Sequence, residues 1–174
     1  KWRLKEPLKA VTPCFEKAHA FAPSDPDIAC ELLSMYDRQQ RTADRLRVVS
    51  QAPASVRENQ RFRKRMIGIY AEANRCLDVV RLIENRPFVV WEGEVNTHGM
   101  YVYACLKLCR EALIRGEPEK AAQWAERGGL YPQTVYTARP SKPVDARWRY
   151  FKAVALEAAG RTAQALCEYK LTAD

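Results

Sequence analysis

Between Asp145 and Tyr169 two helix-forming stretches meet at a single glycine, Gly160, with Ala153 before the bend and Ala165 and Tyr169 after it. Small residues stand where two helices must touch, and an aromatic where they must be wedged apart. A chain that bends this way forms helical hairpins, and the same device recurs upstream. Aligning Asn74, Gly116 and Gly160 brings Ile67, Cys109 and Ala153 into register seven residues before the bend, and Val79, Ala121 and Ala165 five after. With only 7 glycines among 174 residues, few β-branched alternations and abundant Ala, Leu, Arg, Lys and Glu, the composition favours helices over sheet.

The helices read as follows. Residues 1–25 are an N-terminal extension, partly helical, with one short helix behind Pro13; residues 26–174 are the repeat domain. Asp25 before Pro26 opens a helix to about Gln39, and Thr42 to Gln51 gives its partner. Ser55, with Glu58 in capping-box spacing, predicts a helix running to about Ala73. Cys76 to Glu84, His98 to Arg115 and Glu119 to Arg127 follow, the last stopped by Gly128-Gly129. Two links separate the later pairs. The first holds Phe88 and Trp91, read as plugs packed on the helices. The second carries Pro132, Pro140 and Pro143, which argue against regular structure there. Asp145 is placed to cap the final pair.

Gly160 with Ala153, Ala165 and Tyr169, and Gly116 with Ala121, resemble the small and aromatic positions of tetratricopeptide repeats. The resemblance implies an all-α fold, a right-handed stack of tetratricopeptide-like helical hairpins (an α-solenoid) with a concave face lined by the first helix of each pair. The bends at Asn74, Gly116 and Gly160 lie 42 and 44 residues apart, longer than the unit of about 34, and the excess falls in the two links. A bend near Gln39-Gln40 sits about one unit before Asn74.

Trp91-Glu92-Gly93, His98-Gly99, Tyr131-Pro132, Arg139-Pro140 and Asp145-Ala146, in this order, further resemble the repeat region of a family of bacterial proteins of unknown function. The resemblance spans about Ala43 to Tyr169. In that family the repeats accompany a β-sandwich domain thought to act on carbohydrates, which implies that any catalytic domain lies outside this chain.

Candidate chemistry is sparse. Glu92, Glu94 and His98 are the only acid-plus-imidazole cluster; a glycosidase needs two carboxyl groups at a controlled separation, which chance meets easily, so structural roles are expected. Cys105 and Cys109 share a helix face at a spacing that can hold a metal, but two ligands are not a site, and buried packing is expected. Phosphate-loop, nucleophile-elbow and zinc-protease motifs are lacking. No enzymatic activity, cofactor or metal is expected from this chain.

The net charge of +8, from 29 basic and 21 acidic residues, favours an acidic partner. Counting from the bends predicts a partner-binding groove of Arg61, Lys64 and Arg65 in one hairpin, Tyr103, Lys107 and Arg110 in the next, and Arg147 and Tyr150 in the last. The basic run at Arg57, Arg61, Arg63, Lys64 and Arg65 also reads as a solvated face. Arginines grip carboxylates and tyrosines give flat contact area, so the expected ligand is an acidic peptide or another domain of the parent chain. Nucleic acid ranks below it, since acidic residues are interleaved throughout and no nucleic-acid module is recognisable. The apolar runs are too short to cross a bilayer, which takes about 20 residues, and Trp2 to Thr12 lacks a signal-peptide core. Six scattered cysteines read as reduced thiols in a cytoplasmic protein.

Overall fold

A computed structural model describes residues 8–88, 97–135 and 146–173. The described residues are helical and contain no strand. They fall into two compact units that part between Asn74 and Arg75.

The first unit holds α1 (Leu8–Phe21), α2 (Pro26–Arg38), α3 (Thr42–Gln51), α4 (Ala54–Glu58) and α5 (Gln60–Glu72). The Asp25 carboxylate accepts from the backbone N–H groups of Asp27 and Ile28 at 2.8 and 3.1 Å, and Pro26 fills the first helical position, so α2 starts where the sequence predicts. Two local readings are corrected. Pro13 lies inside α1 rather than ahead of it. The helix is held through its lost hydrogen bond by packing on α2, where the Tyr36 hydroxyl donates to Glu16 at 2.8 Å. Ser55 caps nothing: it lies inside the short α4, which starts at Ala54 behind Pro53 without a side-chain cap and ends at Glu58; the next residue, Asn59, is extended and its side chain caps α5 through the Phe62 N–H at 3.2 Å. An Asn that can satisfy an orphan N–H outcompetes continuation of the preceding turn. Leu32, Leu33 and Tyr36 of α2, Val48 and Val49 of α3, and Phe62, Met66 and Ile69 of α5 form the core.

The second unit holds α6 (Cys76–Asn85), α7 (Thr97–Ile114), α8 (Pro118–Gly128), a 3-10 turn (Gln133–Val135), α9 (Ala146–Ala158) and α10 (Thr162–Ala173). Helices α7 and α8 pair, α9 and α10 pair, and α9 packs on both members of the preceding pair. Alanine dominates where they meet: Ala112, Ala121, Ala122, Ala125, Ala155 and Ala165 join Cys109 and Leu156 in one buried cluster. Such small side chains let helix backbones approach closely, while Trp124 and Tyr169 fill the margins. Phe88 is fully buried, as its reading as a plug requires, and its N–H donates to the Thr134 carbonyl at 2.7 Å. Trp91 and Asp145 lie outside the described residues.

Four bends share one geometry. Gln40, Asn74, Gly116 and Gly160 take φ of 57°, 58°, 69° and 74°, the left-handed conformation that ends a helix. At three of them the following N–H reaches back five residues, from Arg41 to Tyr36, Glu117 to Ala112 and Arg161 to Leu156, at 2.8 to 2.9 Å. The residue after each bend also bonds the residue three further on: Arg41 with Asp44, Arg75 with Asp78, Glu117 with Lys120 and Arg161 with Gln164. The predicted register positions Ile67, Cys109 and Ala153, and Val79, Ala121 and Ala165, are all buried. In the first hairpin the second of these positions is Arg45, also buried, which pairs with Asp37 at 2.5 Å and with Glu72.

Gly128-Gly129 ends α8 without a left-handed turn, since Gly129 is right-handed. The pair is instead a seat for Trp148. A Cβ on Gly129 would fall 2.2 Å from the indole ring, and the indole N–H donates to the Ala125 carbonyl at 2.7 Å.

Candidate partner-binding faces

Counting back thirteen, nine and six residues from each bend picks out one stripe on the first helix of each pair, because positions i, i+4 and i+7 share a helix face. The stripe reads Asp27, Glu31 and Ser34 on α2; Arg61, Arg65 and Gly68 on α5; Tyr103, Lys107 and Arg110 on α7; and Arg147, Phe151 and Val154 on α9.

In the first unit Arg61 and Arg65 stand together on α5, and α2 answers them. Arg61 spans Asp27 and Glu31 at 3.0 and 2.7 Å, and Arg65 donates to the Ser34 hydroxyl at 3.0 Å. The facing acids were not among the residues expected from sequence, although counting back from Gln40 as from the other bends finds them. Lys64 sits one residue off the stripe, ten before its bend, at the register of the fully buried Cys30. It is half-buried, and burial lowers its amine below the usual lysine value.

In the second unit Tyr103 and Lys107 come together, with the ammonium 5.9 Å from the ring centroid. This is a loose cation–π approach. Arg110 is exposed on the same helix and Arg147 on neighbouring α9. Among the described residues neither forms an ion pair or hydrogen bond. Tyr150 is half exposed and turned toward α10, its ring 6.2 Å from that of Tyr169. It occupies the register of Cys30 and Leu106, which are buried. The Tyr169 hydroxyl donates to Glu157 at 2.8 Å, and that bond, helped by burial, pushes the phenol up to about 12.

The remaining candidates resolve into packing. Cys105 and Cys109 are fully buried, and desolvation pushes their thiols up to about 12 and about 11, so they stay protonated. His98 stacks on Tyr131 with ring centroids 3.8 Å apart and hydrogen-bonds the Leu130 carbonyl at 3.1 Å. Glu92 and Glu94 lie outside the described residues. A cluster with no sequence signal joins α6, α7 and α8. The Tyr101 hydroxyl donates to Glu84 at 2.7 Å, and Arg127 grips the same carboxylate with two nitrogens, one at 2.8 Å. Burial acts to raise the Glu84 carboxyl, and the Arg127 and Tyr101 bonds outweigh it, leaving it below its ordinary value.

No family model matches the sequence, and no curated protein matches it. Two crystal structures of MamA, a tetratricopeptide-like helical protein, match the fold. One superposes with a TM-score of 0.55 at 14% identity, covering 95% of this chain and 80% of that one. The other gives 0.54 at 14%, covering 95% and 86%. The fold is that of a tetratricopeptide-like helical repeat. At this identity the likeness is one of fold, and the chemistry of the stripe is this chain's own.

Proposed function

We propose that this chain is a non-catalytic interaction or scaffolding region that binds an acidic protein segment, carried by a peptide, a partner protein or another domain of its parent. The reading rests on one observation: Lys107, Arg110 and Arg147 stand on the stripe of adjacent helices in the second unit with no acid on that stripe to meet them. Tyr103 and Tyr150 add flat contact area. Arg61, Lys64 and Arg65 form the corresponding basic set of the first unit. A cytoplasmic setting fits the free thiols, and no described helix is long and apolar enough to cross a membrane.

The test is titration of the chain with a glutamate-rich peptide and a lysine-rich peptide of equal length, at low and raised salt. Saturable binding of the acidic peptide alone, weakened by salt and by joint substitution of Arg61, Arg65, Arg110 and Arg147 with Glu, supports the reading. No binding to the acidic peptide at low salt overturns it.

A second reading takes the chain as an accessory region of a carbohydrate-active enzyme whose catalytic domain lies elsewhere. Its support is that two of the paired motifs, His98-Gly99 and Tyr131-Pro132, meet through the ring stack of His98 and Tyr131. A parent gene without a carbohydrate-enzyme-like β-sandwich domain removes it.

A further inference from the structure

The first unit displays, within its own chain, the ligand that the second unit lacks. On α2 the carboxylates Asp27 and Glu31 are four residues apart, one helical turn, and the guanidinium of Arg61 on neighbouring α5 bridges both. Arg61 stands thirteen residues before the bend at Asn74; Arg147 stands thirteen before the bend at Gly160. The two arginines therefore hold the same place on their helices. The partners differ. The places of Asp27 and Glu31 are taken on α7 by Tyr103 and Lys107, and that of Ser34 by Arg110.

The second unit thus sets a guanidinium on α9 beside a helix whose matching positions carry an aromatic ring and two cations. Like charges on adjacent helices repel where opposite charges would attract. Lys107 lies loosely over Tyr103, and the two arginines have no partner among the described residues. What would neutralise this set is what neutralises Arg61: carboxylates one turn apart on a helix lying along the stripe.

Resting on the proposed acidic-segment binding, we infer that the face of α7 and α9 formed by Tyr103, Lys107, Arg110 and Arg147 docks a helical segment whose carboxylates recur every fourth residue. One carboxylate is shared by Lys107 and Arg147, and the next, a turn along, meets Arg110. Tyr103 supplies the flat surface beneath. Arginine and carboxylate pair through parallel N–H bonds, so a fixed carboxylate spacing gives orientation as well as attraction. In the first unit α2 already answers Arg61 and Arg65, so the preference for this spacing belongs to the second unit.

The experiment uses the whole chain and two synthetic helical peptides of identical composition. One carries glutamate at every fourth position; the other has the same glutamates redistributed round the helix. Calorimetric titration is expected to favour the first by about tenfold, the size expected when one or two charge-assisted pairs are gained. Arg147→Glu with Lys107→Glu should abolish that preference, and a peptide with lysine in place of glutamate should bind this variant, which also shows that the variant is folded. Lys17→Glu, the same charge reversal at an exposed position of α1 away from the stripe, should leave the preference intact. Equal binding of both peptides overturns the spacing inference and leaves acidic-segment binding standing. Binding of neither overturns both. Tighter binding of oligo-thymidine than of the spaced peptide overturns the inference in favour of a nucleic-acid face.

Discussion

Single residues in this chain do work that their type alone does not announce. Gly129 is the clearest, since its lack of a side chain serves Trp148 and not a left-handed turn. Gly129→Ala should therefore cost about 1 to 3 kcal/mol, as an added methyl in a packed interior does. Gly68 offers the contrast within a helix: a Cβ there meets nothing within 4 Å. Gly68→Ala should stabilise by about 0.5 to 1 kcal/mol through lower unfolded-state entropy and better helix propensity. Urea unfolding of both variants checks the pair, and equal effects would contradict the assigned roles. Gln40 and Asn74 show the reverse case. They adopt the conformation glycine favours while keeping a side chain, at a local strain that Asn bears more easily than Gln.

At the scale of helices, most of the fold was legible because bends and small residues recur together. Ala121 and Ala165 are fixed in sequence by their distance from Gly116 and Gly160, and both are buried where that distance puts them. The errors came where a local signal met a competitor. Ser55 and Glu58 read as the start of a long helix, and Asn59, a stronger cap, took over one turn later. The basic half of the candidate site was readable because cations cluster in sequence. Its acidic counterpart on α2 was not, since Asp27 and Glu31 lie 34 and 30 residues from Arg61 and meet it only through packing. The Glu84 cluster was invisible for the same reason, yet it joins three helices. Its carboxyl sits below its ordinary value of 4.5 when folded, so its contribution to stability is present above that value and lost as pH falls through the folded one. The urea midpoint should drop below about pH 4.5, and Glu84→Gln should flatten that drop; identical pH profiles for the two proteins would refute the assignment.

Across the molecule, the six cysteines give a map of protection. Cys14 and Cys167 are exposed, and Cys30, Cys76, Cys105 and Cys109 are buried, one in the first unit and three in the second. Alkylation of the native chain should modify the exposed two first and the buried four only after opening, since a buried, protonated thiol neither meets the reagent nor attacks it. Rapid modification of Cys105 under native conditions would show that the second unit is not packed as described. The net charge of +8 is likewise uneven in its pairing: α2 pairs its acids with Arg61 of α5, while Arg110 of α7 and Arg147 of α9 have no acid partner among the described residues. Next to that stripe sits Trp148, one residue from Arg147, with its ring on two glycines and its N–H tied to a carbonyl. Light emission from an indole shifts with its surroundings, so a guest bound at Arg147, as proposed above, would disturb a chromophore already in place. The chain would then carry its own optical gauge of occupancy, with no dye to attach.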